Sequence, residues 1–253
     1  MKYRHRVLGF LCLLAAITYL DRIAISVAGP RIQESLQLTP QQWGWVVGIF
    51  TLSYALFEIP TGRMGDRSGS RSVLTRVVLW WSAFTAFTGL TSNYYVLLMT
   101  RFLFGAGEAG AFPNIGVTVS RWFPVSERAR TMGFIWMSAQ LGGAFAPLLI
   151  VPIQTRFGWR AAFFVLGAIG VFWSIAWYSW FRNTPAEKAG VTPAEIAEIG
   201  ERSYAGSHHL PWNIALRSLN LWALLLVAIA KPSAVSTGIL HPMWMRFSPT
   251  AKT

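Results

Sequence analysis

Six apolar runs, each near twenty residues long, dominate this chain, at residues 7–29, 43–61, 73–92, 95–118, 132–152 and 161–181. Twenty helical residues rising 1.5 Å each reach about 30 Å, the thickness of bilayer hydrocarbon. In lipid the backbone must satisfy its own polar groups, which leaves only helices and closed barrels. A barrel needs strands of about ten residues with alternating hydropathy, and no such pattern recurs. The runs therefore predict an all-α polytopic membrane protein. Composition agrees: 13% of residues are charged, against about a quarter in a soluble domain.

The basic start before the first run imitates a secretory signal. No small-residue cleavage site closes it, and apolar character resumes after Asp21-Arg22, so the run is expected to be a retained span. Residues 1–182 are thus read as a six-helix bundle. Residues 183–219 are too polar to cross and are read as a cytoplasmic linker. Within it, TPAEIAEIGERSY offers Thr192 as N-cap, Pro193 at the first helical position and Glu195 for a capping box, predicting a short surface helix. From 220 a seventh run, NLWALLLVAIA, breaks at Lys231-Pro232 after about a dozen residues, short of a span. Residues 220–253 are read as a partial seventh span with an aberrant tail, as a frameshifted or truncated gene would leave.

The net charge is +12, and its distribution decides what it means. With the N-terminus inside, the inner segments hold Lys2, Arg4, Arg6, Arg63, Arg67, Arg71, Arg76, Arg121, Arg128, Arg130, Arg182, Lys188, Arg202 and Arg217. The outer segments hold Arg31, Arg156 and Arg160. Cytoplasmic loops carry such an excess, so a multi-pass protein of the cytoplasmic (inner) membrane with a cytoplasmic N-terminus is expected. Positive charge facing an anionic leaflet needs no nucleic acid. The single Cys12 excludes a disulfide framework. His208-His209 lacks an acidic or thiol ligand at useful spacing, so no metal site is expected. No nucleophile–base pair appears, so neither an enzyme nor a cofactor is predicted.

RFLFGAGEAGAFP, residues 101–113, carries Gly105, Gly107 and Gly110 in dinucleotide-loop spacing. A dinucleotide loop follows a strand and precedes an acidic residue about twenty positions on. Here the glycines lie inside an apolar run, and loop arginines follow, so they read as close-packing positions between helices. Arg101 and Glu108, two turns apart, share one face. Asp21 and Arg22 interrupt the first span. Asp21 lies roughly 21 Å from the inner end of its run, and Glu108 about thirteen residues from the outer end of its own, so both acids fall at mid-bilayer. Ionisable groups there are rare and usually functional. Two acids with two arginines suit an anion site coupled to protons, since arginine grips carboxylate or phosphate bidentately. Glu58 is a further intramembrane acid that an arginine of the adjacent loop can pair. Asn114 can satisfy backbone freed by Pro113.

GRMGDRSGSR, residues 62–71, resembles the loop signature of the major facilitator superfamily, with Gly62, Asp66, Arg67, Gly69 and Arg71 at its key positions and Met64 where leucine is usual. YLDR, SYALFEIPTG, RFLFGAGEAGAFP, SAQLGGAFAP and FGWRAAFF resemble the anion:cation symporters within it, over about residues 7–230. The resemblance implies the N-terminal six-helix bundle of a major facilitator fold, two inverted three-helix repeats plus a partial seventh helix, and a second six-helix half for full function. It implies proton coupling at Asp21 and Glu108, and binding of a small organic anion such as a sugar acid at Arg22, Arg101, Tyr19, Tyr54 and Gln140. It also implies a cytoplasmic gate at the loop signature. The function expected is proton-coupled symport by alternating access. The alternatives are a non-transporting half, or a seven-helix retinal protein with Lys231 as its lysine.

Overall fold

The computed structural model describes residues 2–200 and Trp222; the side chains of residues 63 and 65–67 lie outside that description. The expected partial seventh span, the tail, His208-His209 and most of the linker beyond residue 200 also lie outside the described residues. Residues up to 200 belong to one compact unit, Met1–Ala205. Its helices are α1 (Tyr3–Leu36), α2 (Pro40–Ser68), α3 (Ser70–Thr88), α4 (Tyr94–Glu108), α5 (Ala111–Trp122), α6 (Val125–Phe157), α7 (Trp159–Trp180) and α8 (Pro193–Ile199).

Three boundaries differ from the sequence expectation. The run 95–118 is two helices, α4 and α5, interrupted at Ala109-Gly110 although both residues keep right-handed helical angles. Pro113 has no N–H to offer the Ala109 carbonyl, so one rung of the helix is missing. Asn114 sits beside this gap, and its Nδ2 donates to Gly110 O at 2.7 Å. Second, the expected loop 62–71 is helical up to Ser68, and the α2–α3 turn is Gly69 alone, at φ 78°. Third, α1 and α6 outrun their apolar cores by several turns. Among the described residues, four helices are by themselves long and apolar enough to cross a membrane: α1, α2 over Pro40–Gly62, α6 and α7. The 19-residue α3 carries Arg71 and Arg76 in its first turns, and Pro113 divides the fourth crossing.

The packing shows the internal repeat. α1 lies mainly against α6, α2 against α4, and α3 against α7. Exchanging the triplet α1, α2, α3 with the triplet α4/α5, α6, α7 turns the first pair into the second and the third into itself, as inverted three-helix repeats require. Both crossing pairs depend on a glycine. A Cβ on Gly105 would stand 2.7 Å from Phe50 O of α2, and one on Gly142 would meet the Ala16 backbone of α1. Small residues let membrane helices approach this closely. The symmetry mates α2 and α6 are also the least covered: 11% and 28% of their apolar windows are buried, against 44% for α1 and α7. They leave an apolar face that this unit does not bury.

One end of the bundle is bound by charge. The last-turn carbonyls of α7, which have no helical partner, are taken up by cations: Arg71 donates to Tyr178 O, Arg182 to Ser179 O and Phe181 O, and Lys188 to Trp180 O. Thr192 caps α8 by accepting from Glu195 N at 3.3 Å. The Glu195 side chain, which a capping box would send back to Thr192, instead accepts from Tyr3 N and Arg4 N at 3.2 and 3.0 Å. It thereby caps the start of α1, where a carboxylate also meets the positive end of the helix dipole. Arg4, 2% exposed, pairs with Glu127 of α6 and Glu198 of α8, each at 2.9 Å.

Candidate functional site

Two apolar clusters fill the bundle. One holds Val7–Ile17 of α1 with Trp81, Phe104, Trp122 and Trp177. The other holds Ala24–Ile32 of α1 with Leu97, Ala146, Ile150 and Phe163. Asp21 lies on α1 between them, and Arg101 on α4 lies between Leu97 and Phe104. A charged layer is thus sealed between two greasy ones. Asp21, Arg101 and Glu108 are 2%, 3% and 0% exposed.

The pairing inside this layer is not the one that helix spacing alone suggests. Arg101 and Glu108 share a face of α4, but Glu108 Oε1 accepts instead from Arg22 Nε of α1 at 2.9 Å. Glu108 Oε2, both oxygens of Asp21, Arg101 Nε and Arg22 Nη2 are buried without a hydrogen-bond partner among the described groups. The Trp81 indole N–H lies close to Asp21 without closing a bond. Buried polar atoms are normally satisfied, and orphans concentrate where a site has work to do. Arg101 is held by the rings of Phe104 and Phe50, at 4.5 and 5.1 Å, rather than by an acid.

Arg22 stands in an aromatic cage, 4.6 Å from the Tyr54 ring and 5.4 Å from those of Tyr19 and Phe50. Cation–π contacts orient a guanidinium without using its hydrogen-bond donors. Tyr19 continues the aromatic surface, edge-on to Phe112 at 6.2 Å and to Trp136 at 6.3 Å. Gln140 is exposed on α6, one turn beyond Trp136. The fold therefore brings Asp21, Arg22, Tyr19, Tyr54, Arg101 and Glu108 together, with Gln140 at the margin. Phe50, Phe112 and Trp136 were missed as site residues. The i, i+4 pairs Phe50–Tyr54 and Trp136–Gln140 were the available signal.

The loop signature lies at the far end of α2. Gly69 makes the turn at positive φ, Arg71 N donates to Asn183 Oδ1 at 2.9 Å, and Gly62 faces Pro113, whose Cβ would be 3.3 Å from an added methyl. The side chains of Arg63, Asp66 and Arg67 lie outside the described residues, and the expected pairing of the exposed Glu58 with an arginine of the adjacent loop falls partly on them.

Comparison with known proteins places this geometry. The sequence model of the Major Facilitator Superfamily matches residues 11–250. The chain belongs to that superfamily. The match includes residues 231–250, the tail expected to depart from it. Membership in a transporter superfamily leaves no place for an enzyme or a retinal protein. A probable sulfoacetate transporter of Cupriavidus necator is 38% identical over 87% of this chain and 52% of its own length. A hexuronate transporter of Bacillus subtilis is 34% identical over 76% and 46%. The chain thus spans about half the length of these curated relatives. Among solved structures, a bacterial homolog of the human lysosomal transporter Spinster, inward-facing and unoccupied, superposes with a TM-score of 0.67 at 28% identity, covering 77% of this chain and 47% of that one. Major facilitator proteins are multi-pass membrane proteins, and the relatives carry small anions, as their names state.

Proposed function

We propose that this chain forms the N-terminal half of a proton-coupled symporter for a small organic anion of the sugar-acid class. The observation that carries the reading is the single bond between Arg22 Nε and Glu108 Oε1, sealed beside an Asp21 with no partner. A paired buried ion becomes costly when its partner is removed, so the layer changes charge in matched steps. In the outward-open state Asp21 and Glu108 are hydrated and take up protons. A neutral Glu108 releases Arg22, whose donors then grip the incoming anion in place of the lost carboxylate. The compensated layer is occluded, the bundle rocks, and anion and protons leave on the other side. Tyr19, Tyr54 and Gln140 line the cargo, Arg101 adds positive potential, and Gly62, Asp66, Arg67, Gly69 and Arg71 act as the gate at the inner end.

In this reading the N-terminus lies in the cytoplasm of an inner membrane, in line with the basic residues of the inner segments. A C-terminal six-helix half supplies the opposite wall, and the uncovered apolar faces of α2 and α6 suit such a partner. The test is Glu108→Gln in the complete two-half transporter, reconstituted in proteoliposomes. Uphill hexuronate uptake driven by a proton gradient should vanish while hexuronate exchange continues. Full uphill uptake in that variant refutes the mechanism.

A further inference from the structure

Trp136 is 46% exposed in the middle of α6. One face of its ring is stacked on Phe112, with centroids 4.6 Å apart and planes 15° from parallel. Tyr19 meets it edge-on at 85°, and the same Tyr19 ring holds Arg22. With one face on Phe112 and an edge toward Tyr19, the exposure falls on the rest of the ring. Lipid is not its natural cover. Gln140, four residues on and about 40° around the helix axis, is exposed on the same side, and an amide facing hydrocarbon would lack any partner. The Trp136–Gln140 face therefore borders the polar pathway that Arg22 lines.

We propose that the exposed part of the Trp136 ring is the stacking platform for the cargo, and that it selects cyclic sugar acids over small acyclic anions. This rests on the anion-site reading of Arg22. Arg22 fixes the carboxylate, while Tyr19 spaces Trp136 from that charge by one aromatic ring. The rigid Phe112 support beneath presents a flat apolar surface. A pyranose ring carries polarised C–H bonds on one face and hydroxyls around its rim. That face covers the indole, and the rim reaches Gln140. An anion of two carbons has a charge for Arg22 and nothing to lay on Trp136.

The experiment is equilibrium dialysis of the full chain in detergent micelles, with D-glucuronate and sulfoacetate as separate probes. Trp136→Leu should weaken glucuronate binding roughly tenfold, the order of magnitude of one aromatic stacking contact, and shift sulfoacetate by less than twofold. Trp136→Phe, which keeps a ring on Phe112, should restore glucuronate affinity to within about threefold. Equal loss for both probes in Trp136→Leu would show a structural role and overturn the proposal. So would unchanged glucuronate binding, or an unmodified chain that binds sulfoacetate but not glucuronate. If the unmodified chain binds neither anion, the anion-site reading itself falls, and this inference with it.

Discussion

Gly142 and Gly143 are neighbours on α6 with opposite expected responses to the same change. A methyl on Gly142 would meet the backbone of Ala16, with Cα at 2.6 Å and C at 2.7 Å. The Ala16 carbonyl oxygen stands nearer still and backbone cannot rotate aside, so α1 and α6 must part by more than the 0.8 Å that would bring Cα out to the 3.4 Å of ordinary contact. Overpacking of this kind costs about 1–3 kcal/mol. Contacts this close with backbone put the cost at about 2–3 kcal/mol; alanine returns up to about 1 kcal/mol through its helix propensity, leaving Gly142→Ala destabilised by roughly 1–2 kcal/mol. On Gly143 the same methyl finds Ile23 Cγ1 at 3.5 Å and Tyr19 Cδ1 at 3.7 Å, which is ordinary contact. Gly143→Ala should therefore be neutral or stabilised by up to about 1 kcal/mol. Thermal melts followed by circular dichroism at 222 nm in one micelle type read the difference. A domain of this size moves about 2–4 °C per kcal/mol, so Gly142→Ala should melt roughly 2–8 °C lower and Gly143→Ala no lower than the unmodified chain. If Gly142→Ala melts at or above the unmodified chain, or Gly143→Ala falls as far, close backbone approach is not what joins α1 to α6.

Two further expectations concern the charged end of the bundle. Hydrogen bonds from Arg4 and Lys2 hold the Glu198 carboxyl down at about 2, below its ordinary 4.5. The depressed value means that its contribution to docking α8 is complete above about pH 4.5 and is lost as pH falls toward 2. Spin labels at residues 5 and 197 should separate over that window in the unmodified chain. In Glu198→Gln the distance should not change across it, and a matching transition there would assign the docking to another group. Arg71→Ala removes two side-chain bonds to Tyr178 O, at 2.9 and 2.6 Å. Because Arg71 is partly exposed, the expected loss is about 1–2 kcal/mol, read in the same thermal melt, with Arg71→Lys intermediate. A melt unchanged by Arg71→Ala would mean that the α3–α7 join does not depend on this cation.

Much of the fold was legible because membrane burial writes long, simple patterns. Apolar length alone gave the crossings, and Pro113 and Gly69 marked places where the chain had to yield. How it yielded was not legible: the α2–α3 turn shrank to one residue, since nothing local stops a helix before Gly69. Thr192 announced α8, but the destination of Glu195 lies almost two hundred residues away in sequence, beyond any local rule.

The charges divide in the same way. Sequence by itself determined that Asp21, Arg22, Arg101 and Glu108 lie deep in apolar runs, because helical rise fixes depth. It also put Arg101 and Glu108 on one face, because 3.6 residues per turn fixes azimuth within a helix. Only the tertiary structure decided that Glu108 bonds Arg22 rather than Arg101, that Asp21 is left without a partner, and that Trp136 stacks on Phe112 beside Tyr19. Those are relations between helices, set by how closely Gly105 and Gly142 let their neighbours approach. Periodicity describes one cylinder at a time and carries no record of which cylinder lies beside it.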